Sequence, residues 1–96
     1  SVKKIHSYCT KEKVIEIVCR EIGKAWEQIK STPDSHRQIL MEMLYRYTGL
    51  NNREIGELIG LDYSTVSVGR RRLRGKLFND GNLRDLARRI EEGCQE

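Results

Sequence analysis

The sequence predicts an all-α fold, a single-domain bundle of five to six helices in a chain of 96 residues. In several segments, apolar residues recur at spacings of three and four, the period of helices with one buried face. No segment alternates apolar and polar residues as strands do, so we expect no sheet. Gly and Asn-Asp-Gly signals separate the apolar segments, and a chain of this length supports one hydrophobic core.

The first two predicted elements lie in the N-terminal third of the chain. The Thr10 hydroxyl is suited to an N-cap, and Gly23 can adopt the left-handed backbone that ends a helix, so we expect a helix over 11–22. Residues 24–30 indicate one further helical turn. The side chains that we expect to pack inward are Val14, Ile15, Ile17, Val18, Ile22, Trp26 and Ile29.

A longer helix is predicted over 35–48. The turn signal at 31–34 precedes it, so either Asp34 or Ser35 supplies the cap, and Gly49 ends the helix. Its predicted buried side chains are Ile39, Leu40, Met43, Leu44 and Tyr47.

A short helix is predicted over 52–59. Asn51, with Glu54 three residues later, has the pattern of a capping box. Gly60 ends this helix, and Leu61 can fill the turn that follows. The predicted buried side chains are Ile55, Leu58 and Ile59.

The next predicted helix extends to about residue 78. Either Asp62 or Ser64 caps it, after a tight turn. Gly69 in its middle costs about 1 kcal/mol relative to Ala, which close packing against the preceding helix would justify. The predicted buried stripe consists of Val66, Leu73 and Leu77.

The end of the chain predicts one last helix. Asn-Asp-Gly at 79–81 is a turn signal, after which the apolar spacing indicates a helix over 82–92 that Gly93 closes. Residues 1–9 show no periodicity and are expected to form a flexible N-terminal segment, so the domain is expected to cover 10–93. The inward-facing side chains of the last helix are predicted to be Leu83, Leu86, Ala87 and Ile90.

Composition excludes several classes of protein. No apolar run approaches the roughly 20 residues that cross a bilayer, and no signal-peptide pattern occurs, so we expect a cytoplasmic protein without membrane contact. Cys9, Cys19 and Cys94 are odd in number and widely spaced, which predicts free thiols rather than disulfides or a zinc site. His6 and His36 have no partners in a catalytic pattern. We therefore expect no metal, no cofactor and no enzymatic activity.

Positive charge is concentrated in one segment of a chain whose net charge is +4. Residues 52–78 contain six positive and three negative side chains, and five of the positive ones lie within 70–76. Residues 79–96 contain three positive and five negative side chains. Such a basic segment can form a surface for a polyanion, although the run alone is also compatible with a solvated helix face.

The two helices on either side of residue 60 fit the helix-turn-helix plan. In that plan, the beginning of the second helix enters the major groove of DNA, where short polar side chains reach base edges and flanking arginines contact phosphates. Val68 is suited to contact a thymine methyl group. The start of the first helix offers free N–H groups to a phosphate, although simple capping explains it equally well. The candidate DNA-binding residues are Asn52, Arg53, Asp62, Tyr63, Ser64, Thr65, Ser67, Val68, Arg71 and Arg72.

The stretch from about 10 to 92 resembles the C-terminal DNA-binding domain of the bacterial replication initiator DnaA, a TrpR-like helix-turn-helix domain. The segments REIGELIG at 53–60 and DYSTV at 62–66 carry most of the likeness, followed by the basic run and a final helix. The sequence GLNNREIGELIG at 49–60 is more similar still to C-terminal domains of REP-associated tyrosine transposases. The resemblance implies sequence-specific binding of double-stranded DNA.

The resemblance also implies particular base contacts. In the family, an Asp-His-Thr-Thr-type sequence at the start of the recognition helix contacts bases. The matching positions here are Asp62, Tyr63, Ser64 and Thr65; a later base-contacting position matches Val68, and Arg71 falls where the family has a basic residue.

This sequence also departs from the family pattern. The family's minor-groove loop is rich in arginine, whereas 31–38 reads STPDSHRQ, with one carboxylate and one Arg. The turn before Asp62 is one residue shorter, and Tyr63 replaces the signature His. No GxxxxGK[ST] loop and no His-x-His pair occurs, so ATPase or transposase activity would need another part of the protein. We therefore do not expect this protein to be a replication initiator that binds the DNA site of the initiator family.

Two functions agree with these features. The first is a domain that targets a transposase-like or regulatory protein to its DNA site. The alternative is a sigma-region-like or regulator module that acts mainly through protein contacts, because GLNNREIGELIGL at 49–61 is also compatible with a promoter-reading sigma region. The chain begins with Ser, so we expect a fragment whose missing N-terminal domain is a further partner. The target sequence and the oligomeric state are not predicted.

Overall fold

The computed structural model describes residues 9–95, and this part of the chain forms six helices and no strand. The predicted all-α bundle is thus confirmed, and none of these helices is long and apolar enough to cross a membrane. The segment expected to be flexible lies outside the described residues except for Cys9, whose N–H donates to Tyr47 O at 3.0 Å. The helices are α1 (Lys11–Ile22), α2 (Trp26–Ser31), α3 (Ser35–Thr48), α4 (Asn52–Ile59), α5 (Tyr63–Asn79) and α6 (Gly81–Gln95).

Predicted side-chain caps are present at the beginnings of α1, α3, α4 and α5. Thr10 Oγ1 accepts from the Lys13 N–H at 3.1 Å. Asp34 rather than Ser35 caps α3, because its Oδ1 accepts from the His36 N–H at 3.0 Å. Such caps satisfy N–H groups that have no partner inside the helix. Left-handed glycines end α1, α3 and α4 at Gly23, Gly49 and Gly60.

Helix α3 lies at the centre of the bundle and packs against each of the other five helices. Because it has neighbours on several sides, its buried surface is wider than the single stripe of a surface helix. Met41 is therefore buried as well, although the periodicity did not predict it. The buried residues of α3 are Ile39, Leu40, Met41, Met43, Leu44 and Tyr47.

The turn between α4 and α5 depends on Gly56, a residue to which the sequence analysis gave no role. The N–H groups of Gly60 and Leu61 both donate to Gly56 O, at 2.7 and 2.8 Å. Gly56 is buried, and a Cβ there would overlap the carbonyl oxygen of Leu61. The missing side chain therefore allows the chain to reverse directly against α4, while Leu61 packs on the core.

Helix α6 is longer than predicted. Gly93 does not close it; the helix continues to Gln95, and Cys94 is buried. The prediction was wrong because Gly93 serves packing rather than termination: a Cβ there would lie 3.0 Å from Cγ2 of Ile17. The glycine thus lets the end of α6 approach α1 closely.

Replacing Gly56 by Ala should lower the free energy of unfolding by about 2 kcal/mol, because an added Cβ forces the turn backbone to move. Gly75→Ala is the matched control, since a Cβ at this helical position has nothing within 4 Å. We expect the control to raise stability by about 1 kcal/mol. Urea denaturation of both variants measures the difference, and a Gly56→Ala variant as stable as the native protein would contradict this account of the turn.

Candidate nucleic-acid interface

Helix α5 packs on α3, α4 and α6 through one stripe formed by Val66, Gly69 and Leu73. Because successive helical residues are about 100° apart, Ser64 and Arg71 lie on the opposite side of the helix. This outward side carries the predicted α5 residues: Tyr63, Ser64, Thr65, Arg71 and Arg72 are exposed, and Ser67 and Val68 are partly buried.

Asp62 determines how α5 begins. Its Oδ1 accepts from the Thr65 N–H at 2.8 Å and from Ser64 Oγ at 3.2 Å. These hydrogen bonds from Thr65 and Ser64 lower the pKa of Asp62, which is exposed. Asp62 rather than Ser64 is the cap, so the first turn presents an ionised carboxylate beside two hydroxyl groups.

Gly69 lets α5 approach α3 closely. A Cβ at Gly69 would overlap Cε of Met41 and lie 3.7 Å from Cγ of Gln38. The expectation that Gly69 packs against the preceding helix, α4, was wrong. Gly69 faces α3, and the close backbone contact with α4 is instead made by the turn, where Leu61 approaches Gly56.

An open groove of about 280 Å³ lies between the beginning of α3 and the first half of α5. Arg37 and Arg72 line it from opposite helices, and Gln38 Oε1 is buried without a hydrogen-bond partner among the described residues. Sequence reasoning did not select Gln38, because no spacing along the chain relates α3 to α5. The lining residues are Pro33, Asp34, Arg37, Gln38, Met41, Ser64, Thr65, Val68, Gly69 and Arg72.

The run of five cations at 70–76 divides into two kinds of side chain. Arg70 Nε donates to Glu42 Oε1 at 2.8 Å, and Lys76 Nζ donates to Ser35 Oγ at 2.9 Å. These two cations therefore attach α5 to α3. Arg71 and Arg74, like Arg72 on the rim of the groove, are exposed and available to a ligand.

The start of α4 lies beside the start of α5. Asn51 Oδ1 accepts from the Glu54 N–H at 2.8 Å, and Glu54 Oε1 accepts from the Asn51 N–H at 2.9 Å, which confirms the capping box. The Arg53 guanidinium lies 5.6 Å from the centre of the Tyr63 ring. Asn52 Oδ1 accepts from Nη1 of Arg70 at 3.1 Å. The predicted residues of both helices thus form one continuous surface.

The C-terminal helix α6 does not cover Ser64, which lies on this surface. Arg46 Nη1 donates to Glu91 Oε2, and Arg89 Nε donates to Glu21 Oε1 at 3.2 Å, so these charges of α6 pair with α3 and α1. Ser64 stays exposed. Most of the residues predicted to bind DNA are exposed, and Asn52, Ser67 and Val68 are partly buried.

The thiols lie in a different part of the molecule. All three cysteines are free, and Cys9 Sγ donates to Cys94 O at 2.8 Å. Burial, together with the neighbouring Cys9, raises the pKa of Cys94 to about 12. Within residues 9–95, no group of three His, Cys, Asp or Glu side chains could hold a metal ion.

Comparison with known proteins identifies no relative of this chain. No protein-family model matches it, no curated protein matches it, and no solved structure matches it. The resemblance to DnaA-like domains stays an expectation from the sequence.

The carboxylate of Asp62 should make stability depend on pH. Because its folded-state pKa lies below the ordinary value of 3.8, its contribution is present above pH 3.8 and is lost as the pH falls through the folded-state value. A carbon-detected NMR titration should give a midpoint below 3.8 for Asp62. Asp62→Asn retains a good cap and should reduce the loss of stability in acid. A midpoint at or above the ordinary value would disprove the inferred hydrogen bonding.

Proposed function

We propose that this chain is a sequence-specific, double-stranded-DNA-binding domain that uses α4 and α5 as a helix-turn-helix. The observation that carries the proposal is the outward side of α5. Hydroxyl groups are exposed at its beginning, Arg71 and Arg72 are exposed in the turns that follow, and the start of α4 lies beside it. This order of side chains suits a helix whose N-terminal part enters the major groove.

The proposed surface divides base recognition from backbone binding. Ser64 and Thr65 can exchange hydrogen bonds with base edges, and the methyl groups of Val68 suit a thymine methyl. Asp62 uses only Oδ1 for capping, so Oδ2 can accept from an amino group of cytosine or adenine. Ser67 and Tyr63 are neighbours of these groups on the same side of the helix.

Phosphates are the proposed ligands of the surrounding arginines. Arg71 extends from the outward side of α5, and Arg53 extends from the start of α4, where helix N–H groups favour anions. Arg37 and Arg72 line the groove beside α3, so the groove suits the sugar-phosphate edge of one strand. The turn at 31–34 contains no Arg, and the proposal therefore assigns it no minor-groove readout.

The resemblance to REP-associated transposase domains extends this proposal. A domain of this kind would target a transposase-like or regulatory protein to its DNA site in the cytoplasm. It would have no catalytic activity of its own and no cofactor, and any chemical step would belong to another part of the same protein.

Selection from a pool of random duplexes tests the proposal directly. We expect an enriched motif, and binding that weakens steeply with salt, because each phosphate contact contributes about −0.9 to the slope of log K against log salt concentration. Recovery of no motif, with no retention of any duplex in dilute buffer, would reject the proposal. Co-purification with RNA polymerase and no DNA binding would instead support the module that works through protein contacts.

Substitutions should separate the two kinds of contact. Arg71→Ala should weaken binding to all duplexes and reduce the salt slope by about 0.9. Thr65→Ala and Val68→Ala should mainly lose discrimination, by about 1–3 kcal/mol per contact. Arg20→Ala removes the same charge from α1, away from the proposed surface, and should leave affinity nearly unchanged. Equal losses on selected and random DNA for the three α5 variants would contradict base recognition.

A further inference from the structure

We infer that Arg70 is a positioning residue rather than a phosphate ligand, and that it directs the side-chain amide of Asn52 toward the DNA. This inference rests on the proposed function. It assigns different roles to the cations at 70–76. It distinguishes Arg70 from Arg71 and Arg72, which follow it directly in the sequence and have no such anchor in the described part of the chain.

Arg70 connects three helices through one guanidinium group. Its Nε donates to Glu42 Oε1 of α3 at 2.8 Å, and its Nη1 donates to Asn52 Oδ1 of α4 at 3.1 Å. The guanidinium also lies 3.5 Å from the centre of the Tyr45 ring, a cation–π contact. The side chains of Arg70 and Glu42 are each only 13% exposed. Few side chains other than arginine offer donors in several fixed directions together with a flat face.

The charge of Arg70 is already compensated inside the protein. Moving the guanidinium to a phosphate would leave the Glu42 carboxylate largely buried and without its cation. The free-energy cost of that unpaired charge exceeds the gain from an exposed phosphate contact. Arg71 has no comparable partner among residues 9–95 and can reach DNA without this loss. We therefore assign the backbone contact to Arg71 and the connection between helices to Arg70.

Arg70 also determines the orientation of the Asn52 amide. A guanidinium only donates hydrogen bonds, so it must face the oxygen of Asn52 and not the NH2 group. The NH2 group is consequently directed away from Arg70, at the start of α4 next to Arg53. There the N–H groups of Asn51 and Glu54 are occupied by the capping box. The Asn52 NH2 group and the Arg53 side chain thus become donors for a phosphate.

Removal of the Glu42 charge provides the sharpest test. By simple electrostatics, Glu42→Gln should strengthen binding to DNA, because it removes a negative charge. If Glu42 holds Arg70 in place, the same substitution should weaken binding about tenfold, the equivalent of one charge-assisted hydrogen bond. Glu57→Gln is the matched control: it removes an exposed charge from α4 and should leave affinity unchanged or slightly higher.

Two further variants test Arg70 itself. Arg70→Lys keeps the charge but cannot reach Glu42 and Asn52 together, so it should weaken binding about as much as Glu42→Gln. The double variant Glu42→Gln/Arg70→Met leaves no unpaired buried charge, which protects the fold. Its salt slope should equal that of the native protein, whereas loss of a phosphate ligand would reduce the slope by about 0.9.

The measurement is fluorescence anisotropy with the selected duplex over a series of salt concentrations, after circular dichroism confirms that each variant is folded. If the native domain binds and Glu42→Gln binds equally well or more tightly, the positioning role is refuted while the proposed function stands. A reduced slope for the double variant refutes it as well. If the native domain binds no duplex, both the proposed function and this inference are rejected.

Discussion

The packing of α5 against the central helix α3 is the interaction on which the rest of this structure depends. Val66, Gly69 and Leu73 form the contact stripe, and Gly69 admits Met41 where any side chain would collide with it. A rotation of α5 by a single residue would turn its outward side by about 100°. Hydroxyls and arginines would then face the core, so this apolar contact decides which groups solvent, or a ligand, can reach.

Polar contacts at the two edges of α5 also attach this helix to its neighbours. Lys76 reaches Ser35 on the α3 side, and Arg70 reaches Asn52 on the α4 side. Because Gly56 has no side chain, the intervening turn packs closely against α4, and the beginnings of α4 and α5 become neighbours. The surface therefore combines three helical segments that are connected by packing and hydrogen bonds. Binding sites built on packed helices recognise ligands with less entropic cost than sites on mobile loops.

Much of the fold was predictable from local chemistry. The caps Thr10, Asn51 and Asp62, with glycines at the helix ends, act within a few residues of chain, and α1, α3 and α4 begin and end where these signals predicted. The outward side of α5 was predictable too, since helical periodicity needs only the apolar positions. Gly93 was the exception, because its role depends on Ile17, which is distant in sequence.

Apart from the local turn at Gly56, the features that were not predicted from the sequence depend on distances across the fold. Arg70 and Arg71 are chemically identical neighbours, and only the location of Glu42 on α3 makes one of them an anchor. The groove lined by Arg37 likewise requires the beginning of α3 to lie along α5. Periodicity indicates which side of a helix is buried, but it does not specify the neighbour that buries it.

The central claim is that the outward side of α5 and the start of α4 together contact a double helix. NMR titration of the isotope-labelled domain with its selected duplex tests this claim most directly. The largest amide shift changes should fall on residues 62–72 and 52–53, with α1 and the C-terminal part of α6 unaffected. Changes concentrated on α1 and α6, or no changes at low salt, would contradict the account.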